Sequence, residues 1–252
     1  MSYETSLNRV PHIIFLYWVI KIASTTLGET GADMFSMTYD LGYGVTILIF
    51  IALFAFFLGV KLWMKRYDPI VYWLTFTATA IVGTAISDFI DRTLGLGYMV
   101  GSVLLVGLLV AVLLGWYLQD KSINVERITS GVSEVYYWVA FLIANTLGTA
   151  AGDFLADDLE LGFMQSAMII SGLLALIGWS HFYTRISSVL LFWLAFVLTR
   201  PFGATFGDLL TKSHEHGGLD LGTVGSSIFF AVILVAAVFR EVQLEKRREA
   251  DL

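Results

Sequence analysis

The sequence predicts an all-α integral membrane protein with eight transmembrane helices, arranged as four tandem copies of a two-helix repeat. Three observations lead to this prediction. Only 14% of the 252 residues are charged, whereas a soluble domain usually carries about 25%. Apolar stretches of about twenty residues, each long enough to cross a bilayer core of roughly 30 Å, recur along the chain. One spacing of tryptophan, glycine and aspartate occurs four times.

The predicted spans follow one another through short polar connections, which leave no room for a soluble domain. The first apolar run is longer than that of a cleaved signal peptide, so we expect it to be a span. The spans are Ile13–Met37, Gly44–Trp63, Ile70–Ile90, Tyr98–Leu118, Ser133–Ala156, Gly162–Phe182, Ile186–Leu210 and Gly222–Phe239.

The repeated motif is a tryptophan, a glycine ten residues later and an aspartate fifteen residues later. Its four copies are Trp18/Gly28/Asp33, Trp73/Gly83/Asp88, Trp138/Gly148/Asp153 and Trp193/Gly203/Asp208. A second glycine follows each aspartate, at Gly42, Gly97, Gly162 and Gly222, and the last spacing shows a five-residue insertion in the fourth loop. We expect one transmembrane domain, 1–252, with repeats 10–66, 67–122, 132–185 and 186–242.

Because each repeat crosses the membrane twice, the four repeats are parallel and related by an axis along the membrane normal. Copies one and three resemble each other, as do copies two and four. The simplest assembly is therefore a ring with pseudo-fourfold or twofold symmetry and the motif helices at its centre. A small residue four positions after each motif glycine indicates close helix packing.

The distribution of positive charge predicts that both termini are cytoplasmic. Eleven of the fifteen Lys and Arg residues lie on the side of the termini, and the opposite loops hold only Arg92 and Lys212. These eleven are Arg9, Lys61, Lys65, Arg66, Lys121, Arg127, Arg185, Arg240, Lys246, Arg247 and Arg248. The positive-inside rule assigns such a side to the cytoplasm. All seven tryptophans lie at the same interface, as membrane anchors do.

Four carboxylates are predicted within the bilayer, because fifteen residues of helix rise about 22 Å from each motif tryptophan. They are Asp33, Asp88, Asp153 and Asp208. Such groups usually face a bundle interior or a water-filled path. The same helix faces carry Thr26, Glu29, Asn145 and Thr146, an oxygen-rich line of the kind that hard cations or protons use. Alternatively, the aspartates cap loops or bind neighbouring backbone.

Three charged residues break the repeat symmetry. Copy one alone has Lys21 and Glu29, and copy four alone has Arg200 followed by Pro201. In a ring the seventh helix neighbours the first, so we predict an Arg200–Glu29 ion pair, with Lys21 as an alternative partner. With the four aspartates these groups sum formally to −3, which favours a cation as ligand. The pair fits a purely structural lock equally well.

The inserted fourth loop contains His214-Glu215-His216, a weaker candidate for a transition-metal site, for which a solvated loop is the plainer interpretation. No hydrolase, zinc-protease, phosphate-loop or dinucleotide motif occurs, so we expect neither an enzyme nor a cofactor beyond a bound divalent ion. A net charge of −6 is not typical of nucleic-acid binding. The expected partners are the lipid bilayer and a small cation, and the oligomeric state stays open.

The motif stretches resemble a known family. The residues that carry the resemblance are Ile20-Lys21, Thr25-Thr26-x-Gly28-Glu29-x3-Asp33, Leu147-Gly148-Thr149-Ala150-Ala151-Gly152-Asp153, Leu198-Thr199-Arg200-Pro201-x-Gly203-Ala204-x2-Gly207-Asp208 and Gly217-Gly218-Leu219-x-Leu221-Gly222-Thr223. The chain resembles bacterial membrane-anchored proteins built of four tandem two-helix repeats of unknown function. The resemblance implies an inner-membrane location, with Lys21, Glu29 and Arg200 in the family pattern. Family members often have Asn after the second aspartate, where this chain has Phe89, so Asp88 is the weakest ligand candidate.

The sequence therefore predicts a small cation transporter or channel, for a divalent metal such as manganese or with proton coupling. The four aspartates and Glu29 would form its site, with Arg200 and Lys21 tuning the charge. The alternative is a non-transporting sensor or assembly partner whose intramembrane charges are structural. An intramembrane enzyme is a third possibility, but no better candidate site than these acids supports it.

Overall fold

The computed structural model describes residues 9–123 and 128–250, and all regular structure in these ranges is helical. Arg127, counted above for orientation, lies outside them. The eight long helices are α1 Phe15–Asp33, α2 Gly42–Met64, α3 Pro69–Asp88, α4 Tyr98–Asp120, α5 Gly131–Asp153, α6 Gly162–Tyr183, α7 Ser188–Thr211 and α8 Thr223–Ala250. Seven of them, α2 to α8, are long and apolar enough to cross a membrane. The prediction of an all-α protein of multi-pass membrane type is confirmed.

The helix ends follow local sequence signals. Asp68 caps α3, because its side chain accepts a hydrogen bond from the Val71 N–H at 2.9 Å, and Pro69 occupies the first helical position. The second glycine of every repeat adopts a left-handed conformation, with φ between 70° and 75° at Gly42, Gly97, Gly162 and Gly222. That conformation, which glycine adopts without strain, explains why each repeat has glycine at the start of its second helix.

Two features of the helix ends were not predicted from the sequence. Helices α1, α3 and α5 continue past their aspartates as single π-helical turns, Met34–Thr38, Phe89–Thr93 and Phe154–Asp158, whereas α7 ends at Thr211. Helix α8 continues to Ala250 rather than ending at Phe239. Its polar last turns are rich in good helix formers and include an Arg248–Glu245 ion pair at 2.8 Å.

The odd-numbered helices form a central ring in the order α1, α3, α5, α7 and back to α1. This confirms the ring with the motif helices at its centre. Each even-numbered helix packs on the outside, chiefly against the first helix of the next repeat: α2 on α3, α4 on α5, α6 on α7, and α8 on α1. The last helix thus packs against the first repeat, and the closely packed pair is not the one formed within a repeat.

The motif glycines are the points where neighbouring odd helices touch. Each lies against the residue three positions before the motif glycine of the next helix: Gly28 against Ala80, Gly83 against Asn145, Gly148 against Arg200, and Gly203 against Thr25. A Cβ atom at any of the four would approach an atom of that neighbour closer than 3.0 Å. The predicted packing role of these glycines is confirmed.

Replacing Gly28 by alanine should therefore destabilise the bundle, because the new Cβ would lie 2.5 Å from the Ala80 Cβ and 3.0 Å from its backbone carbon. We expect the free energy of unfolding to fall by about 1–3 kcal/mol, the usual cost of overpacking. Denaturant unfolding in detergent measures it. The matched control is Gly59→Ala on α2, where nothing lies within 4 Å. Equal losses in the two variants would contradict the packing role.

Candidate functional site

The interior of the ring is built in layers, because the four odd helices share one register. Equivalent motif positions meet at one depth, and we name the two ends of the bundle the aspartate end and the tryptophan end. From the aspartate end, the layers are Asp33/Asp88/Asp153/Asp208, then Glu29/Thr84/Thr149/Ala204, and then Lys21/Phe76/Phe141/Phe196. In the second and third layers, one position carries the charge and the others are neutral.

The guanidinium of Arg200, which starts one helical turn below, reaches the second layer and lies among side chains from the three other odd helices. Its Nη1 and Nη2 each donate to Glu29 Oε2 at 3.2 Å. Nη2 also donates to Thr149 Oγ1 at 2.7 Å and to Thr84 Oγ1. All four side chains are buried. The predicted Arg200–Glu29 ion pair is confirmed, and the two threonines complete a polar cage around the two terminal nitrogens of the guanidinium.

Two glycines make room for this cage. The first carbons of the Arg200 side chain lie directly over Gly148, where a Cβ would overlap them. On the opposite side, a Cβ at Gly207 would lie 3.0 Å from the Glu29 Cβ. The small residues of α5 and α7 therefore fix how closely the arginine and the glutamate approach the axis.

Lys21 is not a partner of Glu29, contrary to the alternative considered from the sequence. Its Nζ donates to Thr199 Oγ1 at 2.5 Å and to the Phe196 carbonyl at 3.0 Å, and lies 3.8 Å from the centre of the Phe196 ring. Among the residues described, no carboxylate pairs with it. A cation over an aromatic face is stabilised electrostatically. Lys21 is thus held by a ring and two oxygens.

The aspartate layer is divided into two pairs, each sharing one cation. Lys212 Nζ lies 2.7 Å from Asp33 Oδ2 and 3.1 Å from Asp208 Oδ1. On the opposite half, Arg92 Nε lies 3.3 Å from an oxygen of Asp88, and its Nη2 lies 3.5 Å from one of Asp153. The arrangement has the twofold symmetry expected from the similarity of alternate repeats.

The sequence analysis does not predict these two cations at the site, because it places Arg92 and Lys212 in loops. A signal was present. Each follows its own motif aspartate by four residues, the spacing that brings side chains together on a helix face. The pKa of Lys212 is raised, since burial would lower it but the negative charges of Asp208 and Asp33 raise it by more. Lys212 therefore stays an ammonium ion at neutral pH.

Three buried carboxylates converge between α1 and α7. One oxygen each of Glu29, Asp33 and Asp208 lies within 4.8 Å of the others, and we name these residues the carboxylate triad. Within residues 9–123 and 128–250, no other group of three or more acidic and histidine side chains comes so close. A set of oxygen ligands suits hard cations such as Mg²⁺, Ca²⁺ and Mn²⁺.

Asp88, Asp153 and the histidine loop lie outside the triad. The first two are held on the opposite half by Arg92. His214 Nδ1 lies 2.9 Å from the Gly218 carbonyl, and His216 Nδ1 lies 2.8 Å from Ser213 Oγ. Both imidazoles thus hydrogen-bond within their own loop, which fits the plainer interpretation of a solvated segment.

The other predicted polar residues lie deeper in the bundle. The Asn145 amide donates to Thr79 Oγ1 at 2.9 Å, and Thr146 donates to the Leu142 carbonyl of its own helix at 3.0 Å. The Thr26 hydroxyl is buried, and no described residue hydrogen-bonds to it. None of the three is part of the triad.

The bundle interior is closer to neutral than the sequence count of −3 suggested. Adding Arg92 and Lys212 gives five carboxylates and four cations, a formal charge of −1. Towards the tryptophan end, the axis is filled by Arg200 and then by Lys21 and three phenylalanines. The rings of Phe141 and Phe196 stack at 4.0 Å between centres. The carboxylates are therefore separated from the tryptophan end by Arg200, Lys21 and an aromatic layer.

Comparison with known proteins identifies the repeat family. A family model described as Repeat of Unknown Function (DUF347) matches residues 16–67, 71–122, 136–187 and 191–246. Neither the curated proteins nor the solved structures that were compared gave a match. The four matched segments cover most of the chain and confirm that it consists of four tandem repeats. The chain therefore belongs to the Repeat of Unknown Function (DUF347) family and contains four copies of that repeat.

Proposed function

We propose that this protein is a membrane carrier for a small hard cation, a divalent metal such as Mn²⁺ or a cation exchanged for protons. The observation that carries the proposal is the convergence of three buried carboxylates, Glu29, Asp33 and Asp208, between α1 and α7. Carboxylates inside a membrane protein are costly and mark ion pathways by default. The proposal is transport without enzymatic chemistry.

The filled axis favours a carrier over an open channel. A cation moving from the triad along the axis would meet the guanidinium of Arg200 and then the layer that contains Lys21. Both side chains are fully buried, and the phenylalanine layer closes around Lys21. Repulsion between like charges in a low-dielectric interior is strong. Transport would therefore require the odd helices to rearrange, as in carriers that alternate access around a fixed site.

The proposed topology has eight spans, with both termini in the cytoplasm of a bacterial inner membrane. Helix α1 is not apolar enough to qualify by composition, because it carries Lys21, Glu29 and Asp33. Contacts at both ends support its crossing. At the tryptophan end, Arg9 pairs with Glu134 at the start of α5, at 2.8 Å. At the other end, a Thr38 hydroxyl meets that of Thr223, which begins α8, at 2.6 Å.

The natural absence of cysteine allows a direct test of this topology. We expect a membrane-impermeant maleimide to label Leu94→Cys and Leu159→Cys in intact cells, because both side chains are exposed at the aspartate end. His12→Cys and Lys65→Cys should react only after the membrane is permeabilised. Labelling of His12→Cys from outside, with Lys65→Cys still protected, would show that α1 does not cross.

A second candidate function is supported by the ion pairs themselves. Glu29, Asp33 and the other motif aspartates each lie within 4.0 Å of a Lys or Arg nitrogen. A fully paired interior fits a non-transporting sensor or assembly partner whose charges only specify packing. Buried ion pairs serve such a specifying role in some proteins.

Cation flux into proteoliposomes separates the two candidates. Purified protein would be screened with Mn²⁺, Mg²⁺, Ca²⁺, Zn²⁺, Na⁺ and H⁺ beside protein-free liposomes. The carrier proposal expects saturable uptake of a hard cation. Protein that is folded, as shown by a cooperative unfolding transition, and yet moves none of these ions would favour the non-transporting function.

A further inference from the structure

The ammonium group of Lys212 occupies part of the carboxylate triad. It contacts Asp33 at 2.7 Å and Asp208 at 3.1 Å, which are two of the three triad members. Its side chain is 23% exposed, so it also reaches the surface at the aspartate end. A lysine is a compact charge on a flexible four-carbon stem. The ammonium of Lys212 is therefore placed where a bound cation would lie, and its side chain has access to solvent at the aspartate end.

The backbone of Lys212 is fixed, so that only its side chain is free to move. Its N–H donates to the Asp208 carbonyl at 2.9 Å, and its carbonyl accepts from Asp220 at 3.0 Å. Gly218 packs so tightly against the same carbonyl that a Cβ would overlap it. The inserted fourth loop therefore folds back on Lys212 and holds the base of its side chain.

The opposite half of the aspartate layer is built differently. Arg92 contacts Asp88 and Asp153 through separate nitrogens, and its Nε also donates to the Tyr98 hydroxyl at 3.1 Å. Among the described residues, no third acidic or histidine side chain joins Asp88 and Asp153 in a group as close as the triad, and the layer below has Thr84 and Thr149 there. Because the guanidinium has three partners, its position is fixed, and arginine does not deprotonate in proteins.

We infer that Lys212 is a tethered counter-cation, which offsets part of the negative charge of the carboxylate triad when no ion is bound and swings out when a cation binds. This inference rests on the proposed function and adds how the site is regulated. Without the ammonium, the ion-free protein would hold unpaired buried carboxylates, which is expensive. With a divalent ion in place, repulsion between like charges drives the ammonium towards solvent. Lys212 thus competes with the transported ion, whereas Arg92 stays bound to Asp88 and Asp153 on the opposite half of the layer.

Mn²⁺ binding to purified protein tests this competition. Free Mn²⁺ would be measured by electron paramagnetic resonance during titration of the wild type, Lys212→Met and Arg92→Met. If the ammonium leaves the site only a tenth of the time, its removal should tighten Mn²⁺ binding about tenfold. Arg92→Met removes the same charge from the half with two carboxylates, so it should gain clearly less.

A second readout covers the chance that Lys212→Met folds poorly. Its unfolding temperature in chelator should be lower than that of the wild type, and added Mn²⁺ should restore it, because binding stabilises the folded state. The inference is overturned if the wild type binds Mn²⁺ and Lys212→Met binds it no more tightly, or if Arg92→Met gains as much. Failure of the proposed function looks different: the wild type moves no cation in liposomes, whatever Lys212→Met binds. Absence of Mn²⁺ binding in all three proteins would also overturn the inference, and the flux screen would then decide the proposed function by itself.

Discussion

Replacing Arg200 by methionine should lower the free energy of unfolding by about 3–5 kcal/mol, the usual cost of removing one partner of a buried ion pair. The loss is large because Arg200 contacts three other helices. Its guanidinium binds Glu29 on α1, Thr84 on α3 and Thr149 on α5. Without it, the buried Glu29 carboxylate loses its only cation within the described part of the chain.

Denaturant unfolding in detergent measures this loss, with Arg240→Met as the matched control because Arg240 is exposed on α8. A double-mutant cycle with Glu29→Gln separates the pair from general packing. The double variant should lose much less than the sum of the two single losses. Additive losses, or a loss no greater than that of Arg240→Met, would show that the cage around Arg200 does not hold the bundle together.

Asparagine at both Asp33 and Asp208 should reduce cation flux to the level of protein-free liposomes. The substitution keeps the shape of each side chain and removes two of the three charged ligands of the triad. It also leaves Lys212 without a carboxylate to bind. Hard cations depend on charged oxygen ligands, so the amides cannot replace them.

The matched control is the other half of the same layer. Asp88→Asn and Asp153→Asn together also neutralise two motif aspartates at the same depth, but these belong to the Arg92 pair rather than the triad. This variant should keep most of the wild-type flux of the ion found in the screen. Equal loss in both double variants would mean that the whole aspartate ring is the site. Loss only in the Asp88/Asp153 variant would place the site at the Arg92 pair and would contradict the assignment to the triad.

The central ion pair could be predicted from the sequence because the repeats fix the register. Once four copies share one spacing, Arg200 and Glu29 occupy defined depths, and a closed ring makes α7 the neighbour of α1. The packing of the motif glycines followed from the same pattern. Periodicity was sufficient because the repeated motif fixes the depth of every position, including Glu29 and Arg200, which carry a charge in one copy only.

The cations of the aspartate layer were harder to predict. Asp33 and Lys212 are separated by 179 positions and meet because α7 packs against α1 and the fourth loop folds back on Lys212. The i, i+4 spacing predicts the ion pairs of Arg92 and Lys212 with their own aspartates. The positive-inside rule, by contrast, favours a loop position for both residues, and the two signals conflict. The packing of each even helix on the next repeat had no sequence signal, since short loops join every consecutive pair.

The position of bound Mn²⁺ tests the central claim most directly, namely that the cation binds at the carboxylate triad. Crystals of the wild type grown with Mn²⁺ would be measured at the manganese absorption edge. We predict one anomalous peak inside the bundle, in contact with Asp33 and Asp208, with the Lys212 side chain turned outward. A peak between Asp88 and Asp153 would contradict this account, as would no peak inside the bundle at a Mn²⁺ concentration that saturates transport.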